Sequence, residues 1–132
     1  FEIMTECVHV ARKEGVRLEK VSGTIDLDWI ALDEAEREAA GSPSLVAKHA
    51  WLLAVGFRYR RMRSSMLSAI ERVRELAVDF LNGEIVDRGA RHGVPTPANQ
   101  AAAAAVHAIA RGQQVSSVDT LRDLATGLGV RV

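Results

Sequence analysis

The sequence has a single cysteine, three prolines and few aromatic side chains, and no excess of charge of either sign. Cys7 has no partner for an internal disulfide, which suits a reducing, cytoplasmic setting. Lys and Arg number 17, and so do Asp and Glu, so no overall field draws the chain to nucleic acid or to an anionic membrane. The longest apolar stretch, Ala50 to Phe57, has eight residues, far short of the roughly 20 that span a bilayer. No charged-then-apolar leader pattern is present. Strand signals are missing except for a short Gly129–Val132 tail, and there is no internal repeat. What is present is an ordinary globular balance. Hydrophobic residues make up 48% and charged residues 26%, which excludes a disordered composition. A length of 132 residues fits one domain with one core. The chain opens on Phe1 directly inside a helical pattern, as expected of a piece of a larger protein.

Periodicity and punctuation predict an all-α helical bundle. Phe1, Met4, Val8 and Ala11 share a face of a first helix, stopped by Gly15. Val16 to Thr24 reads as a loop with Ser22-Gly23 at its turn. A second helix is expected over Asp28 to Ala40, capped by Asp28 and ended by Gly41. Ser42 caps a third helix with Pro43 at its first position, running to about Met62. Its expected buried side is Leu45, Val46, His49, Leu52, Leu53 and Gly56. Ser64-Ser65 starts a short helix through Arg72. Glu75 to His92 is the next helix, stopped by Gly93, and Thr96-Pro97 opens another to Arg111, stopped by Gly112. Ser117 or Asp119 opens the last, which ends near Gly127. Gly83 and Gly89 each weaken their helix by about 1 kcal/mol relative to alanine, so close backbone approach is expected at both.

Little catalytic chemistry can be read from motifs alone. His9, His49, His92 and His107 form no metal-ligand spacing and read as packing or surface residues. His92 stands at a helix C-terminus, where the dipole favours a cation. Cys7 on an apolar face reads as a small core residue. There is no nucleophile elbow. Gly127-Leu128-Gly129 offers only G-x-G, after a helix and with no room for a phosphate-binding helix behind it. Arg58, Arg60, Arg61 and Arg63, beside Ser64-Ser65, are either a solvated helix end or an anion pocket. At those spacings they do not fall on one helix face. Asp79 and Asn82, three apart, share a face that lines a cleft or meets solvent.

Three segments taken in order resemble a known family. Ser64-Ser65-Met66-Leu67, then Asp79-Phe80-Leu81-Asn82-Gly83, then His92-Gly93-Val94-Pro95-Thr96-Pro97-Ala98-Asn99 resemble the ketopantoate reductase (2-dehydropantoate 2-reductase) family, C-terminal domain. That pattern runs S-S-M-L, T-E-I-D-[YF]-[IL]-N-G and H-G-[VI]-x-x-P-x-N at similar gaps. Glu6 to Val16 is similar to the family's E-x-x-x-V-A-x-A-x-G-V helix, and the resemblance spans about Phe1 to Arg111. It implies an all-α domain like the C-terminal domain of 6-phosphogluconate dehydrogenase. It implies NADP-dependent reduction of a 2-keto acid, with the cofactor held by an N-terminal Rossmann domain that this chain lacks. Ser65 falls on the serine that contacts substrate. Its hydroxyl suits a carboxylate, and it suits the capping of the following helix equally well. Two departures stand out. The family's active-site glutamate falls on Ala77, two residues before Asp79; Glu75 lies a further two positions back, a rotation of about 200° away on a helix. The family's catalytic lysine lies on a helix that would precede Phe1. Of Lys13, Lys20 and Lys48, none stands in its place.

These readings imply a substrate domain of a 2-keto acid reductase, inactive on its own. No catalytic residue and no metal ligand is assigned within this chain. Ala77 puts ketopantoate itself in doubt as the substrate. A helical interaction module is the alternative, with Ala98 and Ala101 to Ala105 pairing two copies of the chain into a homodimer or packing within it. Nucleic-acid binding through the arginine run ranks third, and no membrane or nucleic-acid partner is expected.

Overall fold

The computed structural model describes residues 1–20, 26–39, 41–61, 65–72 and 74–130. Among these residues there is no strand, and the elements are helices, as expected. In order they are α1 (Glu2–Lys13), α2 (Leu27–Ile30), α3 (Glu34–Glu38), α4 (Pro43–Tyr59), α5 (Ser65–Glu71), a π-helical segment (Asp79–Gly83), α6 (Glu84–His92), α7 (Pro97–Ala110) and α8 (Val118–Gly127). Among the described residues no helix is long and apolar enough to cross a membrane. The Gly129–Val132 tail forms no strand over Gly129 and Val130, and its last two residues lie outside those described, as does Ser22-Gly23.

Helix α1 packs against α7, α6 and α2. Val8 and Val10 of α1, Ile30 and Ala31 after it, Val78 before the π segment and Ala98 of α7 are buried. Local caps set most boundaries. Ser42 accepts from the Leu45 amide at the start of α4, and Ser117 accepts from the Thr120 amide at the start of α8. Gly93 ends α6 in the left-handed region at φ 65°. Its amide donates to the Ala90 carbonyl and the Val94 amide donates to that of Gly89, so the last carbonyls of α6 are paired. Gly15 and Gly112 end α1 and α7 in the same way.

Three expectations are corrected. The helix expected over Asp28 to Ala40 is broken in two. Asp26, not Asp28, caps α2 through the Trp29 amide, and Asp28 is paired with Arg12 at 2.5 Å. Asp33 restarts the chain as α3 in a capping box: the Glu36 amide donates to Asp33 and the Asp33 amide to Glu36. Between them the Leu32 amide donates to Thr5 Oγ1 at 2.9 Å, which ties the break to α1. Second, the helix expected from Glu75 begins only at Val78, and its first turns are widened into the π segment. As expected, α8 ends at Gly127, and Gly129, at φ 70°, takes the left-handed turn after it.

The third correction concerns α4. Only Lys48 is buried, and Leu53 is 74% and Val46 56% exposed. Leu52, His49 and Gly56 are exposed as well, and Leu45 is half-buried. This helix is apolar nearly all round, so apolar spacing does not select a face. The lysine selects it. The arginines at its end, Arg58, Arg60 and Arg61, are exposed, and Arg60 lies over the Phe57 ring at 4.0 Å. Arg63 lies outside the described residues.

Close approach holds at one of the two glycines expected to need it. A Cβ on Gly89 would stand 2.7 Å from Thr96 Cγ2 and 2.7 Å from the Val94 carbonyl, whereas one on Gly83 would meet nothing nearer than 3.8 Å. Gly56, mid-helix in α4, has nothing within 4 Å of that position. Gly89→Ala is therefore expected to destabilise by about 1–3 kcal/mol through overpacking. Gly56→Ala is expected to stabilise α4 by about 0.5–1 kcal/mol. Urea unfolding of the two variants checks the opposite signs.

Candidate functional site

Helix α7 begins with Pro97, which has no amide hydrogen, so the first amides needing partners are those of Ala98 and Asn99. Thr96 at the cap position supplies no side-chain acceptor. The acceptor comes from α1. Glu6, 5% exposed, takes the Ala98 amide on Oε1 at 2.7 Å and the Asn99 amide on Oε2 at 2.8 Å. A carboxylate at the positive end of a helix is favoured by both the hydrogen bonds and the dipole.

The Asn99 side chain, fully buried, completes the joint. Its Nδ2 donates to Glu6 Oε2 at 2.6 Å and to the Ile3 carbonyl at 3.1 Å. Its Oδ1 accepts from Asn82 Nδ2 at 2.9 Å and from the Cys7 thiol at 3.9 Å. All four hydrogen-bonding sites of the amide are thus used. Burial pushes the Cys7 thiol up from its ordinary value, so it stays protonated and acts as a weak donor. Neither Glu6 nor Asn99 stands out in the sequence as a functional residue. The available signal is their place in the segments that carry the resemblance, Glu6 opening Glu6 to Val16 and Asn99 closing His92 to Asn99.

A second joint holds α4. Lys48 Nζ donates to Glu36 Oε2 at 2.5 Å and to the Ala31 carbonyl at 2.9 Å, and both side chains are buried. Ser44 Oγ donates to the other Glu36 oxygen. These donors hold the Glu36 carboxyl down to about 2, with Lys48 the larger cause and Ser44 next. Glu14 forms a third joint, accepting from Arg88 at 2.5 Å and lying 3.3 Å from His92 Nε2 at the end of α6. Arg88 holds its carboxyl below the usual range.

A cavity of about 750 Å³ opens between α1, α4 and the Val94–Ala98 turn, with Leu128 to Val130 along one wall. The carboxylates around it are engaged within the chain: Glu2 by Arg37 at 2.8 Å, Glu6 by α7 and Glu36 by Lys48. His9 faces it, half-buried and with no partner among the described residues. His49 faces it too, with Nδ1 donating to the Leu45 carbonyl and its ring edge-on to Phe1 at 4.9 Å.

Ser65 is elsewhere. It is the first residue of α5, exposed, and its hydroxyl bonds to no other described residue. Ala77 is exposed just before the π segment. Asp79 and Asn82 both turn toward α7: Asp79 Oδ1 lies 2.7 Å from His107 Nε2, and Asn82 bonds to Asn99. They therefore serve packing between elements more than an open cleft. Of the alanines considered for pairing two copies, Ala98 is buried and Ala101, Ala102, Ala103 and Ala105 are half-buried, on a helix packed against α1, the π segment and α6. Among the described residues no group of His, Cys, Asp and Glu could hold a metal ion. Gly127-Leu128-Gly129 forms no turn at the start of a helix, since Gly127 is helical and Gly129 is the turn that ends α8.

A family model described as ketopantoate reductase PanE/ApbA C terminal matches residues 2–110 of the chain. Comparison with curated proteins and with solved structures gives no match.

The Lys48–Glu36 joint yields a test. Removing one partner of a buried pair strands the other charge, so Lys48→Met is expected to cost about 3–5 kcal/mol. Because the Glu36 carboxyl is depressed, its stabilisation is complete above the ordinary 4.5 and fades as pH falls toward about 2. Urea unfolding across that pH window is expected to show this acid loss in the native sequence and a flatter profile in Lys48→Met.

Proposed function

The chain belongs to the ketopantoate reductase C-terminal family, and on that premise we propose that it forms the substrate-facing helical half of an NADPH-dependent 2-keto acid reductase. A nucleotide-binding domain upstream would hold the cofactor and supply the hydride. The observation that carries the reading is Ser65. It matches the family's substrate-contacting serine, it is exposed, and its hydroxyl bonds to no other described residue.

In this reading Ser65 Oγ donates a hydrogen bond to the substrate carboxylate and orients the keto carbon toward the incoming cofactor. Ala77 offers no charge where the family pattern has a carboxylate. Asp79 does not replace it, because its Oδ1 is bonded to His107. The substrate is then a 2-keto acid other than ketopantoate, one without a group that needs that carboxylate.

The test uses the longer protein that carries this chain behind its nucleotide-binding domain. NADPH oxidation is followed with a series of 2-keto acids. Ser65→Ala is expected to raise KM for the acid by roughly 10-fold or more, the worth of one hydrogen bond to a charged group. Ala77→Glu is expected to shift preference toward ketopantoate. The isolated chain is expected to show no turnover. Turnover by the isolated chain, or an unchanged KM in Ser65→Ala, would overturn the proposal.

A further inference from the structure

Helix α8 is held to the rest of the chain differently from α1, α4 and α7. Those three are tied by buried polar joints, Glu6 with Asn99 and Glu36 with Lys48. No residue of α8 is buried. Each hydrogen bond and ion pair that Val115 to Val130 make among the described residues stays inside that segment. Both ends of α8 are closed by its own atoms. At the start Ser117 Oγ accepts from the Thr120 amide, and Thr120 Oγ1 donates to the Val115 carbonyl at 2.6 Å. At the end the Val130 amide donates to the Ala125 carbonyl at 2.9 Å, and the Gly129 amide to that of Thr126 at 3.0 Å. This is a Schellman cap around the left-handed Gly129. The helix ends thus take no donor or acceptor from another element.

What α8 gives the rest of the chain is apolar contact. Leu124, Ala125, Leu128 and Val130 are half-buried, whereas Val118 and Leu121 are exposed at 62% and 66%. The cap sets Leu128 and Val130 on one wall of the cavity of about 750 Å³, whose other walls include Phe1, Leu45 and Val94. The link behind the helix, Gly112 to Ser116, is exposed throughout and starts with the left-handed Gly112 at φ 67°. The family match ends at residue 110, so this wall of the cavity is made by a segment outside it.

We propose that α8 and its Leu128–Val130 end form a strap that closes this cavity. The strap comes away as a unit about Gly112 to Ser116, while α1, α6 and α7 stay packed. Its release gives up apolar contact but strands no buried donor or acceptor, whereas release of α7 would strand the Ala98 and Asn99 amides. A helix of 10 residues taken off its packing surface is marginal in water, so opening and loss of helix go together. Opening bares Phe1, Leu45 and Val94 beside His9 and His49, and Nε2 of His49 is free because Nδ1 donates to the Leu45 carbonyl. That lining suits a small apolar molecule with one hydrogen-bonding end. The inference does not depend on the reductase reading, because it uses neither Ser65 nor a cofactor.

The test is amide hydrogen exchange on the full chain, followed by NMR in urea kept below the unfolding transition. The Leu124, Ala125 and Leu128 amides are expected to share one opening event, with protection at least about 100-fold below that of Ala103 and Val106 in α7. Leu128→Ala should lower protection in α8 at least about 10-fold further and leave that of α7 unchanged. Leu121→Ala, on the exposed side of α8, should change neither. The ring signals of His9 and His49, which face the cavity, should shift in Leu128→Ala and stay in place in Leu121→Ala. Protection in α8 equal to that in α7 would overturn the proposal, since the segment would then open only with the whole chain. So would an α8 with no protection at all, ring signals indifferent to Leu128→Ala, or a loss in that variant no greater than in Leu121→Ala.

Discussion

The carboxylate of Glu6 is the interaction on which the rest of the chain depends. It joins residues separated by 92 and 93 positions in sequence, and it does so at the one place where α7 has no local answer. Pro97 removes one amide from the first turn and Thr96 offers no side-chain acceptor, so two buried N–H groups need an acceptor from another element. Without Glu6 those amides and the Asn99 side chain would be left unsatisfied in a buried setting, at a cost of about 1–3 kcal/mol for each such group. With it, α1 is held across the start of α7, and Asn99 passes the connection on to Asn82 of the π segment. The order of dependence runs from one carboxylate to one helix terminus to one amide, and from there to the packed centre.

This gives the family resemblance a physical content. Glu6, Asn82 and Asn99 come from three of the segments that carry the resemblance, and they converge on a single hydrogen-bonded network. The network is buried and saturated, so what those segments share is architecture. Gly89 and Gly93, which flank the end of α6, belong to the same account: one lets Thr96 and Val94 approach the helix, the other turns the chain back into α7. The residue with a claim to substrate, Ser65, lies on α5, outside this network. Family membership and catalytic detail are thus carried by different atoms, and the first does not settle the second.

The same division explains what could be read from residues alone. Stops at Gly15, Gly93 and Gly112 and caps at Ser42 and Ser117 are decided within a few residues of themselves, and local spacing finds them. The break before Asp33 was within reach of local reasoning too, since Asp33-Glu34-Ala35-Glu36 is a capping box, but a continuous helical pattern over Asp28 to Ala40 masks it. The orientation of α4 was not within reach. Its apolar residues surround the helix, and the face that turns inward is chosen by Lys48, a charged residue whose partner Glu36 sits on another helix. Glu6 was hidden for the same reason: a buried carboxylate is legible only once its distant partner is known.

The π segment shows how architecture constrains chemistry at the same address. A widened helical turn beside a candidate site is a common functional device, and here it carries Asp79 and Asn82 just after Ala77. Both polar groups are nonetheless engaged, Asp79 at the surface with His107 and the half-buried Asn82 with Asn99, and Phe80 and Leu81 are left exposed at 67% and 58%. The outward surface here carries Phe80 and Leu81 beside an Asp79 that is already paired, and the exposed Ala77 stands where the family pattern holds a glutamate. Restoring that charge by moving Asp79 would break the His107 contact, and using Asn82 would open the network that holds α7. The chain cannot recruit Asn82 without loosening its own centre, nor Asp79 without giving up a contact between the π segment and α7. In the proposed reductase, recognition from this half then rests on a hydroxyl and on apolar contact, which favours a substrate whose polar groups are gathered at its carboxylate end.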